Sequence, residues 1–156
     1  MDFNEYQKQA LTTALPTALD LDYLLPGLVA EVGEVCGVFA KARRDQWNGH
    51  EFDAALVKEL GDAAWFVAVI ADRVGAYPPN SGKPRQSADG PMALLVYEAA
   101  QVLTHDPVDM VRPVWEAILG CAEFFSLPMD SILQANLDKL ASRKSRGALS
   151  GSGDDR

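Results

Sequence analysis

The chain reads as an all-α helical domain. Three observations predict the fold class. Apolar residues recur at spacings of three and four through most of the 156 residues, no stretch alternates with period two over a useful length, and Pro, Gly and Asp-Pro pairs punctuate the segments where helices should begin and end.

Phe3, Tyr6, Ala10, Leu11 and Ala14 share one helical face and Pro16 stops the pattern, so an opening helix is predicted over 3–15. Asp22 is the expected N-cap of a second helix over 23–44, with Pro26 tolerated in its first turn and Lys41, Arg43 and Arg44 in its last. A turn over 45–50 containing Asn48-Gly49 leads to a third helix, 52–74, ended by Gly75. Residues 76–91 are dense in Pro, Gly and Ser and read as an exposed loop. Asp89 with Pro91, and Asp106 with Pro107, place helices over 91–104 and 107–125, and Ser126 with Pro128 opens a last one over 128–143. One domain over 1–145 and a polar, Gly-rich tail over 146–156 follow.

Composition excludes several classes. A formal net charge of −8 opposes binding to a nucleic-acid polymer, which needs a basic surface to neutralise phosphates. The opening MDFNEYQKQ has no basic stretch followed by an apolar core, and no later run of about eighteen apolar residues is free of charge, so a soluble, cytoplasmic protein without a membrane partner is expected. Cys36 and Cys121 lie in apolar helical sequence without CxxC spacing and read as small core hydrophobes.

Two acidic pairs at i, i+3, Glu31 with Glu34 and Glu59 with Asp62, stand in the middle of otherwise apolar helices. Spacing alone is uninformative, since acidic content would produce roughly three such pairs by chance. Asp2 with Glu5 and Asp106 with Asp109 have the same spacing, but at helix beginnings, where negative charge suits the dipole. The mid-helix pairs are flanked by Val29, Val32, Val35, Leu56, Leu60 and Trp65. Clustered buried carboxylates are costly unless a cation compensates them, so a hard-metal site between two helices is one reading and two solvated faces the other. Oxygen donors without His or Cys favour Mg²⁺, with Mn²⁺ as a substitute. Neither His50 nor His105 completes a Glu-x-x-His pair, which argues against a di-iron bundle; both read as surface turn residues.

These residues carry a resemblance. Gly27-Leu28-Val29-Ala30-Glu31-Val32-Gly33-Glu34-Val35 with Lys58-Glu59-Leu60-Gly61-Asp62 resembles the ExxE…ExxD signature of the MazG-like all-α nucleoside triphosphate pyrophosphohydrolases. Asn136-Leu137-Asp138-Lys139-Leu140 with Arg143, Arg146-Gly147 and the Gly151-Ser152-Gly153-Asp154 tail resembles the ending of small family members. The matches cover about residues 1–75 and 121–156, and 76–120 reads as an insertion, serving either packing and subunit contact or the active site. The resemblance implies hydrolysis of a nucleoside triphosphate to a monophosphate and pyrophosphate, with Glu31, Glu34, Glu59 and Asp62 on Mg²⁺ and Glu34 or Glu31 acting on the attacking water. It also implies that Asn136, Lys139 and Arg143 bind phosphate and sugar, and that the protein is a homodimer or homotetramer. Absent the motif, the basic end of the last helix would simply complement its dipole.

Lys41 and Lys58 are weaker phosphate candidates, and Trp47 and Trp65 are candidate platforms for the base or else core residues. Two other functions compete. One is an all-α dUTPase/dUDPase-type or phosphoribosyl-nucleotide phosphohydrolase on the same scaffold; the other is a non-catalytic helical binding or assembly module.

Overall fold

The computed structural model describes residues 1–78 and 83–149, and every regular element among them is helical. Six α-helices follow in order: α1 (Phe3–Leu11), α2 (Leu21–Asp45), α3 (Gly49–Val74), α4 (Pro91–Gln101), α5 (Pro107–Phe124) and α6 (Met129–Ser145), with a single 3₁₀ turn at Pro16–Ala18.

The centre of the bundle is α3. It packs against α2, with which it forms a hairpin, and also against α1, α5 and α6, while α4 bridges α5 and α2. Its composition explains the position: Leu56, Leu60, Ala63, Ala64, Val67, Ala68 and Ile70 are buried, and the small residues among them let neighbouring helices approach from several sides. The hairpin is specified locally. Gln46 takes a left-handed conformation (φ 55°) that ends α2, and two residues later Asn48 and Glu51 form a reciprocal capping box that starts α3. Gly75 (φ 68°) ends α3 as expected.

Several boundaries differ from the sequence expectation, each for a physical reason. The opening helix stops at Leu11, where the Thr12 and Thr13 hydroxyls bond back to the carbonyls of Gln9 and Ala10, both at 2.7 Å. Asp20, not Asp22, caps α2, accepting from the Asp22 amide at 3.0 Å, which places Pro26 beyond the first turn. α3 begins three residues earlier than expected, because Asn48 caps it, and this puts His50 in the first turn of the helix. Gly90 (φ 93°) rather than Asp89 precedes α4, and that helix ends at Gln101, not at residue 104, tightening into i to i+3 bonds from Leu103 and Thr104.

Residues 91–120, within the expected insertion, contribute to the core. Leu95, Ala99, Val111, Val114, Trp115, Ala117 and Ile118 are buried, and Trp115 stacks edge-on against Phe3 with ring centroids 4.8 Å apart. The loop before α4 lies across α5 at Gly120, where a Cβ would stand 1.9 Å from the Arg85 carbonyl oxygen. Residues 79–82 of the expected loop and 150–156 of the expected tail lie outside the described residues. Both cysteines are free; Cys121 is buried, with its thiol pushed up to about 12 chiefly by burial, whereas Cys36 is only partly covered.

By length and composition α2 is apolar enough to cross a membrane. In the fold it lies against α3 and α4 and carries Glu31 into contact with two carboxylates of α3.

Candidate metal centre

Glu31 of α2 meets Glu59 and Asp62 of α3, one carboxylate oxygen of each lying within 4.8 Å of the other two. Glu59 is buried, and Glu31 and Asp62 are half-buried. The i, i+3 spacing puts Glu59 and Asp62 on the face of α3 that meets α2, and the antiparallel hairpin brings Glu31 opposite them. Glu34 stands one turn further along α2 and is exposed, so the structure draws together three of the four expected carboxylates.

Crowding has an electrostatic consequence. Burial pushes the Glu31 carboxyl up to about 7, and the negative charges of Asp62, Glu59 and, least, Glu34 push the same way, against the ammonium of Lys139.

α6 supplies the compensating groups. Lys139 Nζ contacts both oxygens of Asp62, at 2.5 Å for Oδ2, and Asn136 Nδ2 donates to Oδ1 at 2.9 Å. α6 can come this close because position 61 has no side chain; a Cβ there would stand 2.9 Å from the Asn136 Cβ. Asn136 is itself buried, and its Oδ1 accepts from the hydroxyl of Tyr6 at 2.8 Å. Lys58 Nζ lies 3.3 Å from Glu59 Oε1.

Arg143 is half-buried one turn beyond Lys139 on α6. Lys41 is exposed, ten residues and so about 15 Å along α2 from Glu31. Trp47 packs on the core at the hairpin tip, roughly 15–20 Å along the helices from the carboxylates. Trp65 has its polar handle engaged internally, donating to Thr13 Oγ1 at 3.2 Å and the Ala10 carbonyl at 3.3 Å, so it ties α3 to the end of α1.

Sequence reasoning missed two polar residues. The helical pattern of the opening segment marks Tyr6 only as one more apolar position. Glu98, a charged residue amid apolar ones on α4 like Glu31 on α2, is buried and pairs with Arg85 at 2.6 Å, away from the carboxylate cluster.

The donor set suits a hard divalent cation: three carboxylates from two helices, oxygen donors alone, with an ammonium already balancing part of the charge.

The chain is similar to the gene 37 protein of Mycobacterium phage L5. The two are 29% identical over 166 aligned positions, an alignment spanning the full length of both chains and therefore including residues 76–120. No protein-family model matches the chain, and no solved structure matches it significantly.

Proposed function

We propose that the protein is a Mg²⁺-dependent nucleoside triphosphate pyrophosphohydrolase of the MazG-like type, converting a (d)NTP to a (d)NMP and pyrophosphate. The observation that carries the reading is the convergence of Glu31, Glu59 and Asp62 to within 4.8 Å, with Lys139 against Asp62. Three such groups in one place are unfavourable without positive charge, and the pairing of acidic and basic groups suits a polyanionic substrate brought in with a cation.

In this reading Glu31, Glu59 and Asp62 hold Mg²⁺, for which Mn²⁺ can substitute. A bound divalent ion neutralises phosphate oxygens and lowers the pKa of water. Glu34, exposed one turn from Glu31, accepts the proton of the attacking water. The water oxygen bonds to the α-phosphorus as the bond to the bridging oxygen breaks, and the electron pair leaves on pyrophosphate. Lys139 and Arg143 neutralise the triphosphate from α6, with Lys58 beside Glu59 as a further cation. Asn136 serves through Asp62 rather than by meeting the sugar, since it is buried and bonded there. A homodimer or homotetramer belongs to this reading, and sedimentation would measure it.

The deciding experiment incubates the protein with a panel of nucleoside tri- and diphosphates and Mg²⁺ in ¹⁸O-labelled water and resolves the products. Labelled monophosphate with unlabelled pyrophosphate is the expected result. Cleavage of dUDP to monophosphate and orthophosphate would instead identify the dUTPase/dUDPase type, and no turnover with Mg²⁺ or Mn²⁺ would leave a binding or assembly module.

A further inference from the structure

We infer that Tyr6 is a positioning residue of the carboxylate site, its hydroxyl setting the orientation of the Asn136 amide and through it the orientation of Asp62. This rests on the reading of that site as a cation site and adds α1 to the elements that build it.

Tyr6 is fully buried, and its hydroxyl donates to Asn136 Oδ1 at 2.8 Å, with a longer contact of 3.4 Å to the Gly61 carbonyl. A buried hydroxyl is costly without a partner, so packing alone would be served better by phenylalanine; the hydroxyl is useful where it specifies a neighbour. Here the neighbour is an amide with two unlike ends. Accepting at Oδ1 turns Nδ2 toward Asp62 Oδ1, where it donates at 2.9 Å. The reversed amide would set its oxygen against a carboxylate oxygen, two acceptors facing each other. One oxygen of Asp62 is thereby anchored to the Asn136 amide, while the Lys139 ammonium contacts both oxygens, at 2.5 Å for Oδ2. Burial, and the charge of Asp62, hold the Tyr6 hydroxyl well above its ordinary ionisation range, which keeps it a donor.

The chain of contacts runs from α1 through α6 to α3, across sequence separations of 130 and 74 residues. Groups that orient a metal-ligating carboxylate commonly change metal affinity by about 10- to 100-fold when removed. Tyr6 acts one bond further out, so a smaller effect is expected of it than of Asn136.

The test titrates Mn²⁺ calorimetrically into the metal-stripped full-length protein and three variants, Tyr6→Phe, Asn136→Ala and the double variant, with a thermal melt of each. Tyr6→Phe should weaken Mn²⁺ about three- to tenfold, Asn136→Ala by about tenfold or more, and the double variant no further than Asn136→Ala alone. Unchanged Mn²⁺ affinity in Tyr6→Phe, with or without a lower melting temperature, would assign the hydroxyl to packing and overturn the inference. Additive losses in the double variant would also overturn it, because Tyr6 would then act independently of Asn136. If the wild-type protein takes up no Mn²⁺, the cation-site reading itself fails and this inference falls with it; wild-type uptake with an indifferent Tyr6→Phe removes the inference alone.

Discussion

Lys139 sets its ammonium against both carboxylate oxygens of Asp62, each side chain only about a fifth exposed (21% and 20%). An internal cation therefore balances one of the three clustered acids. Replacing it by methionine should destabilise the metal-free protein by about 1–3 kcal/mol, because a half-buried charge loses its partner. It should also make Mg²⁺ more stabilising, since the ion no longer competes with an ammonium for Asp62. Thermal melts with and without Mg²⁺ check both statements; a Lys139→Met protein whose Mg²⁺-induced shift is smaller than wild type would contradict the second.

Glu31 predicts a pH dependence of opposite sign to that of an ordinary salt-bridged acid. Its carboxyl is raised from 4.5 to about 7, so in that window the folded chain holds a proton that the unfolded chain has released. Its contribution favours folding at the acid end and is lost as pH rises through about 7. Asp62, Glu59, Lys139 and Glu34 all face the group, so the contribution is read by difference. Glu31→Gln should flatten the decline in stability over this range and, without metal, exceed wild type by about 1 kcal/mol on the alkaline side, after discounting for the partial exposure of Glu31. Mg²⁺ should reverse the order, because only the wild-type carboxylate ligates. Melting temperatures across the pH range with and without Mg²⁺ measure both.

How far the site could be read in advance follows from which contacts are local. The helix class, the hairpin of α2 and α3 and the pairing of Glu59 with Asp62 follow from spacing within one segment, and Gly75 marks its helix end wherever the rest of the chain lies. The same spacing groups Glu34 with Glu31, yet Glu34 is exposed while Glu31 is half-buried. Spacing defines a shared face to within a turn, but the angle at which α3 crosses α2 decides which of two neighbours is covered. Tyr6 and Asn136 meet over 130 residues, and no local pattern marks that contact. Residues 76–120 read as inserted because the acidic and Asn/Lys motifs skip them, and that Trp115 and Ile118 join the core depends on partners far away in the sequence, such as Phe3.

The position of Glu34 separates two kinds of loss. Glu59→Gln and Asp62→Asn remove donors from the cluster and should abolish calorimetric Mn²⁺ uptake and turnover together. Glu34→Gln should retain Mn²⁺ affinity within a few-fold while kcat falls by about 10²- to 10⁴-fold, the range for removing a general base. Equal loss of Mn²⁺ affinity in all three would make Glu34 a fourth ligand; full activity in Glu34→Gln would exclude it from proton transfer.

Gly61 tests whether the close approach of α6 matters for the site beyond stability, and Gly120 serves as the comparison. In a helix interior, replacing glycine by alanine gains about 1 kcal/mol of propensity, so an added methyl that met nothing would stabilise. At Gly61 it meets the Asn136 Cβ at 2.9 Å and the Ile132 carbonyl at 3.4 Å, atoms that move only if α6 moves. Overpacking of this kind costs about 1–3 kcal/mol, enough to cancel or exceed the propensity gain. At Gly120 the methyl would fall 1.9 Å from the Arg85 carbonyl oxygen and must displace the segment held by the Arg85 amide on Glu116 (2.9 Å) and the Arg85 side chain on Glu98 (2.6 Å). Gly120→Ala should therefore lower the melting temperature. Only Gly61→Ala moves the residue that orients Asp62, so it alone should also weaken Mn²⁺ binding. A Gly61→Ala protein that binds Mn²⁺ like wild type would show that the register of α6 does not control the carboxylate geometry.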